Sequence, residues 1–137
     1  MRAVSKAIVV LFGLSLAACG ETEGLAGPAM DGRLQAAQEQ LDGGHVAEAR
    51  SAFQAAVEAD PSSIDARLGL AESAHRLGDD IAAQRAFEEV LGLGADREPL
   101  IVALDGLAEI RLAHGDASGA RDLQAEADSL RAGPASR

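Results

Sequence analysis

The chain of 137 residues contains no tryptophan and no tyrosine. Phenylalanine occurs only at Phe12, Phe53 and Phe87, and lysine only at Lys6. Each shortage excludes something. Single-stranded nucleic acid is held on aromatic platforms that stack with its bases, and only Phe53 and Phe87 lie beyond the first twenty residues. Nucleic-acid phosphates are neutralised by lysine and arginine, but here 22 acidic residues face 12 basic ones, a net charge of −10. That sign also disfavours electrostatic attraction to anionic lipid headgroups. Cysteine occurs once, at Cys19, so no disulfide can close within the chain. No HExxH, GxSxG or phosphate-loop spacing is present. His45, His75 and His114 read as helix-end residues, where a cation is favoured, rather than as metal ligands. The expectation is a protein with no catalytic centre, no metal, no cofactor and no nucleic-acid partner.

The first nineteen residues carry an address. Arg2 and Lys6 precede a twelve-residue apolar run, Ala7 to Ala18, which is too short to cross a bilayer comfortably. A basic start, a short apolar middle and small residues at the end predict a secretory signal peptide. The run closes as Leu16-Ala17-Ala18-Cys19, which resembles a bacterial lipobox at all four positions. The resemblance implies removal of residues 1–18 and lipidation of Cys19. It also gives the lone thiol a use. Each buried methylene contributes about 0.8 kcal/mol, so two or three acyl chains of the palmitate kind hold firmly where one would not. Gly20 in the next position resembles lipoproteins sorted to the outer membrane, which implies attachment there, facing the periplasm. Without Arg2 and Lys6, ten basic residues remain against 22 acidic ones, a net of −12. Residues 20–30, GETEGLAGPAM, have no periodicity, so residues 19–30 are expected to be a lipidated, flexible tether of roughly 30 Å at full stretch.

Beyond the tether the sequence repeats itself. Ala49, Phe53, Ala56 and Pro61 are echoed by Ala83, Phe87 and Val90, with a displacement of 34 residues between the two phenylalanines. Gly44 and Gly78 are also 34 residues apart, and Gly115 follows Gly78 by 37, so three residues are inserted in the loop Gly92–Glu98. Apolar residues at spacings of three and four predict two helices in each unit. Leu34, Ala37 and Leu41 mark the first. Val46, Ala49, Phe53 and Val57 mark the second. Leu70, Ala71, Ala74 and Leu77 precede Gly78, and Ala83, Phe87 and Val90 follow it. Leu104, Leu107 and Ala108 precede Gly115, and Ala120, Ala127 and Leu130 follow it. Each turn glycine is predicted to end a helix in a left-handed conformation. Ala49, Ala83 and Ala120 mark close helix approaches, and the two phenylalanines fill the space between units. Ser62 with Asp65 reads as a capping box, and Asp96 as a cap with Pro99 in the first turn after it. The predicted units are 31–61, 63–95 and 99–131, followed by a disordered tail at 132–137.

A 34-residue period with these residues resembles the tetratricopeptide-repeat family, across about residues 31–131. The chain departs from that pattern where Arg33, Arg67 and Leu104 replace an early aromatic, where Ala95 replaces a closing proline, and where Gln124 replaces a third phenylalanine. The resemblance implies an all-α fold, a short solenoid of about three helix–turn–helix repeats. It implies a concave groove lined by the first helix of each unit. Carried over by register, the groove residues are Leu34, Gln38, Leu68, Glu72, Asp105 and Glu109, with Leu41, His75 and Leu112 in a third row. Some members clamp a partner's terminal carboxylate with lysine and asparagine, and the chain after Cys19 contains neither. The remaining leucines and carboxylates suit a protein or peptide partner that is apolar and basic. The last helix, with Arg121, Asp122, Gln124 and Glu126, is expected to be the polar cap that a repeat array needs. The implied role is a lipid-anchored envelope protein mediating protein–protein interaction, in outer-membrane, pilus or secretion assembly. The alternative is a self-associating or scaffolding lipoprotein without a specific peptide ligand.

Overall fold

The computed structural model describes residues 28–133. The expected signal peptide, Cys19 and most of the tether lie outside the described residues, as does the tail from 134 onward. Six helices follow one another: α1 Pro28–Asp42, α2 Val46–Ala59, α3 Ile64–Arg76, α4 Asp80–Gly92, α5 Arg97–Ala113 and α6 Ala117–Ala132. They form three helix–turn–helix units, as the repeat register predicts.

Two expectations need correction at the helix starts. The tether expected over residues 19–30 stops short of that bound, because α1 begins at Pro28. Met30 is buried beside Ala56 and Ala66, and that burial recruits the preceding residues into the helix. Proline is tolerated there because first-turn N–H groups have no partner within a helix. The capping box at Ser62 and Asp65 does not form. Ser63 caps α3 instead, its hydroxyl accepting from the Ala66 N–H at 3.3 Å. Ser62 donates its N–H and its hydroxyl to Asp60, at 2.9 and 2.6 Å, and holds that carboxyl below its ordinary range. Asp96 does occupy the N-cap of α5, but its side chain makes no capping bond.

The turns follow the glycine register. Gly44, Gly78 and Gly115 have φ of 84°, 78° and 81°, a region that favours residues without a Cβ. Each helix packs on its successor. In addition the backbones of the first helices come close, α3 to both α1 and α5, whereas those of α2 and α4, and of α4 and α6, stay farther apart and are linked through side chains such as Arg50 and Asp79. The first helices are thus crowded on the inner side of the curve and the second helices are spread on the outer side.

The joints between units are made by phenylalanine against glycine. Phe53 on α2 and Phe87 on α4 are buried. Phe53 lies over Gly69 of α3, where a Cβ would sit 2.3 Å from its ring; Phe87 lies over Gly106 of α5, where a Cβ would sit 2.4 Å away. Gly69 and Gly106 are 37 residues apart, in step with the turn glycines. Ala49, Ala83 and Ala120 are buried, so the helices of each unit approach closely. Gln124 holds the corresponding place on α6 and is exposed. Among the described residues no fourth unit follows it, so an aromatic ring there would have no glycine to cover. The polar residue suits the outer face of α6, and Ala127 with Leu123 and Leu130 covers Ile101 and Leu104 beneath it.

Candidate partner-binding groove

The inner face of α1, α3 and α5 is a chain of two adjoining depressions. The first, about 360 Å³, is lined by Leu34 and Gln38 of α1 and by Leu68 and Glu72 of α3. The second, about 280 Å³, is lined by the same Leu68 and Glu72 with Asp105 and Glu109 of α5. All six groove residues expected from the repeat register therefore line one connected surface.

The depressions exist because of the joints behind them. Gly69 and Phe53 lie in the wall of the first, Gly106 and Phe87 in that of the second. The space of each missing side chain is filled by the phenylalanine ring, which lets the helices approach and gives the depression an apolar wall. Val102 of α5 borders both depressions and is half exposed. None of Gly69, Gly106 and Val102 was singled out from the sequence. The available signal was glycine in a helix interior, which costs about 1 kcal/mol relative to alanine and so implies a reason to be there.

The third row does not hold together as a groove row. His75 lines the second depression. Leu41, by contrast, is fully buried against Ala37, Ala49 and Phe53 and belongs to the core. Leu112 is exposed and borders neither depression.

The charges are also less free than the sequence suggests. Glu72 pairs with Arg76 at 2.5 Å, one helical turn along, and Arg76 donates as well to the Leu41 carbonyl, at 3.1 Å. Asp105 is held by Arg131 of α6, which also pairs with Asp128 at 2.8 Å. Two groove carboxylates have no arginine partner among the described residues: Asp65 at the first depression and Glu109 at the second, whose neighbour is His75 Nε2 at 3.9 Å. On its other nitrogen, Nδ1, His75 bonds Asp80 at 2.8 Å. The second Asp80 oxygen meets His114 Nε2 at 3.0 Å. The His75 hydrogen bond holds the Asp80 carboxyl below its ordinary range, against a smaller opposing effect of burial.

Among the described residues no three histidine, cysteine or acidic side chains are grouped to hold a metal ion. No described helix is long and apolar enough to cross a membrane. A sequence-family model described as tetratricopeptide repeat matches residues 40–104. The match runs from the last turn of α1 into α5 and takes in Phe53, Gly69 and Phe87. No curated protein matches the chain.

Proposed function

We propose, from the tetratricopeptide-repeat match over residues 40–104 and the three stacked helix pairs, that the chain is a protein-interaction solenoid whose inner groove holds a segment of a partner protein. The observation that carries this reading is the groove itself: two connected, largely apolar depressions, each with a carboxylate, Asp65 in the first and Glu109 in the second, left without an arginine among the described residues. A segment that suits it has apolar residues for the two depressions and a basic residue for Glu109. Opposite charges there steer the encounter and fix the register of the bound segment. The sequence Leu16-Ala17-Ala18-Cys19 behind a basic, apolar leader supports lipid attachment at Cys19. On this reading the solenoid is anchored in the cell envelope, at the outer membrane facing the periplasm, and serves outer-membrane, pilus or secretion assembly. The test is affinity capture from envelope extracts with wild type and Glu109→Lys. A stoichiometric partner retained by wild type, and lost at least tenfold by the variant at unchanged melting temperature, supports the groove. Equal retention by both removes it.

A second reading, self-association or scaffolding within a complex, is favoured by a separate feature. Met30, Ala36, Ala37, Ala52, Ala55 and Ala56, with Arg33 and Gln40, border a depression of about 370 Å³ on the outer side of α1 and α2. Sedimentation of the full chain in detergent separates the two readings, because a monomer at all concentrations speaks against self-association.

A further inference from the structure

We infer that the groove carries its own proton switch: protonation of His75 makes Glu109 the partner of an imidazolium, and the second depression loses its free carboxylate as pH falls. The switch stands on the geometry of the second and third units; its consequence for binding rests on the groove reading above. His75 is in the last turn of α3, with Nδ1 2.8 Å from Asp80 Oδ1. A carboxylate only accepts, so in the neutral ring the proton is on Nδ1 and Nε2 holds a lone pair. That lone pair faces Glu109 Oε2 across the second depression at 3.9 Å, too far for a hydrogen bond. Two acceptors facing each other have no reason to close the gap. One added proton turns Nε2 into a charged donor aimed at a carboxylate. A shift of about 1 Å then gives a charge-assisted bond, and the Glu109 side chain, 71% exposed, has the freedom to make it. Histidine is the side chain suited to change charge between about pH 5 and pH 8.

The groups around His75 are few. From α4 there is Asp80, whose other oxygen is shared with His114 at the end of α5. From α5 there is Glu109. Glu72 of α3 and Asp105 of α5 line the same depression and are held by Arg76 and Arg131. Among the described residues α1 and α2 bring no carboxylate within 4 Å of it. The junction between the first and second units is made differently. There Arg76 bonds the Leu41 carbonyl and Arg50 bonds Asp79 at 2.7 Å. Arginine stays charged throughout this pH range, so the proton response is confined to the junction that borders Glu109.

The experiment is a double-substitution cycle on the full chain in detergent, with His75→Gln, Glu109→Gln and the pair, read as melting temperature at pH 5.5 and pH 7.5. The cycle cancels the loss of the Asp80 bond, which His75→Gln incurs with or without Glu109. The switch requires the two substitutions to be non-additive at pH 5.5 and additive at pH 7.5. Additivity at both values, or the same coupling at both, overturns it. A fluorescent peptide of alternating leucine and lysine then probes the consequence. Wild type should bind it on the order of tenfold more weakly at pH 5.5, and His75→Gln should lose that dependence. Equal binding by wild type at both values overturns the release. Binding at neither value, with the coupling present, removes the groove reading and leaves the switch supported.

Discussion

Gly69 shows how one missing side chain serves both stability and shape. Helix propensity favours alanine over glycine by about 1 kcal/mol, so Gly69→Ala would be stabilising on an open helix. At this position the new Cβ would lie 2.3 Å from the Phe53 ring. Overpacking of that kind costs about 1–3 kcal/mol and outweighs the propensity. Urea denaturation should therefore find Gly69→Ala and Gly106→Ala destabilised. Gly32→Ala, where nothing lies within 4 Å, should be neutral or stabilised. Phe53→Ala removes the other half of the joint and should cost about 3–5 kcal/mol. Equal stability of all four variants would show that the joints do not hold the units together.

At the scale of helices, aspartates fasten the ends. Asp79 caps α4, accepting from the Ala82 N–H, and Asp116 caps α6, accepting from the Gly119 N–H. Both carboxyls are held below their ordinary range, Asp79 first by its hydrogen bond from Arg50 and Asp116 first by the Gly119 N–H. A carboxyl with a lowered folded value stabilises the fold at pH above its unfolded value, near 3.9. That contribution disappears as pH falls through the lower, folded value. Stability should thus be flat on this account above about pH 5 and fall below about pH 4. Asp79→Asn with Asp116→Asn should flatten that fall, and an unchanged acid limb would assign it to other groups. The helices were readable in advance because turn glycines and apolar residues recur at 34 and 37 residues; the six groove positions needed the family resemblance as well, which assigns the first helix of each unit to the concave face. The start of α1 was not readable, since GETEGLAGPAM has no period and Met30 finds its partners only on α2 and α3. The pairing of Asp105 with Arg131 was hidden for the same reason: it joins two helices, and no local spacing announces it. Leu41 was misassigned because core and groove positions alternate within one turn, and register alone does not say which side of α1 meets α2.

At the scale of the whole molecule, α6 covers one end of the described array. Removing residues 117–137 would uncover Ile101 and Leu104, which Ala127, Leu123 and Leu130 cover. The truncated chain should aggregate; a soluble, monomeric product would deny α6 its capping role. At the other end the proposed lipid sets location. Cys19→Ala should remove a mass equal to the acyl chains and shift the protein from the detergent phase to the aqueous phase. An unmodified Cys19 thiol in the wild type would end the lipoprotein reading. The central claim is that the inner face of the first helices receives a partner. Its most direct measurement is photo-crosslinking in intact cells, with the reactive residue at Val102, which borders both depressions, and a control at Ala125 on the exposed face of α6. The prediction is a discrete adduct from Val102 that is lost with Glu109→Lys, and none from Ala125. An adduct from Ala125 with none from Val102 would contradict it.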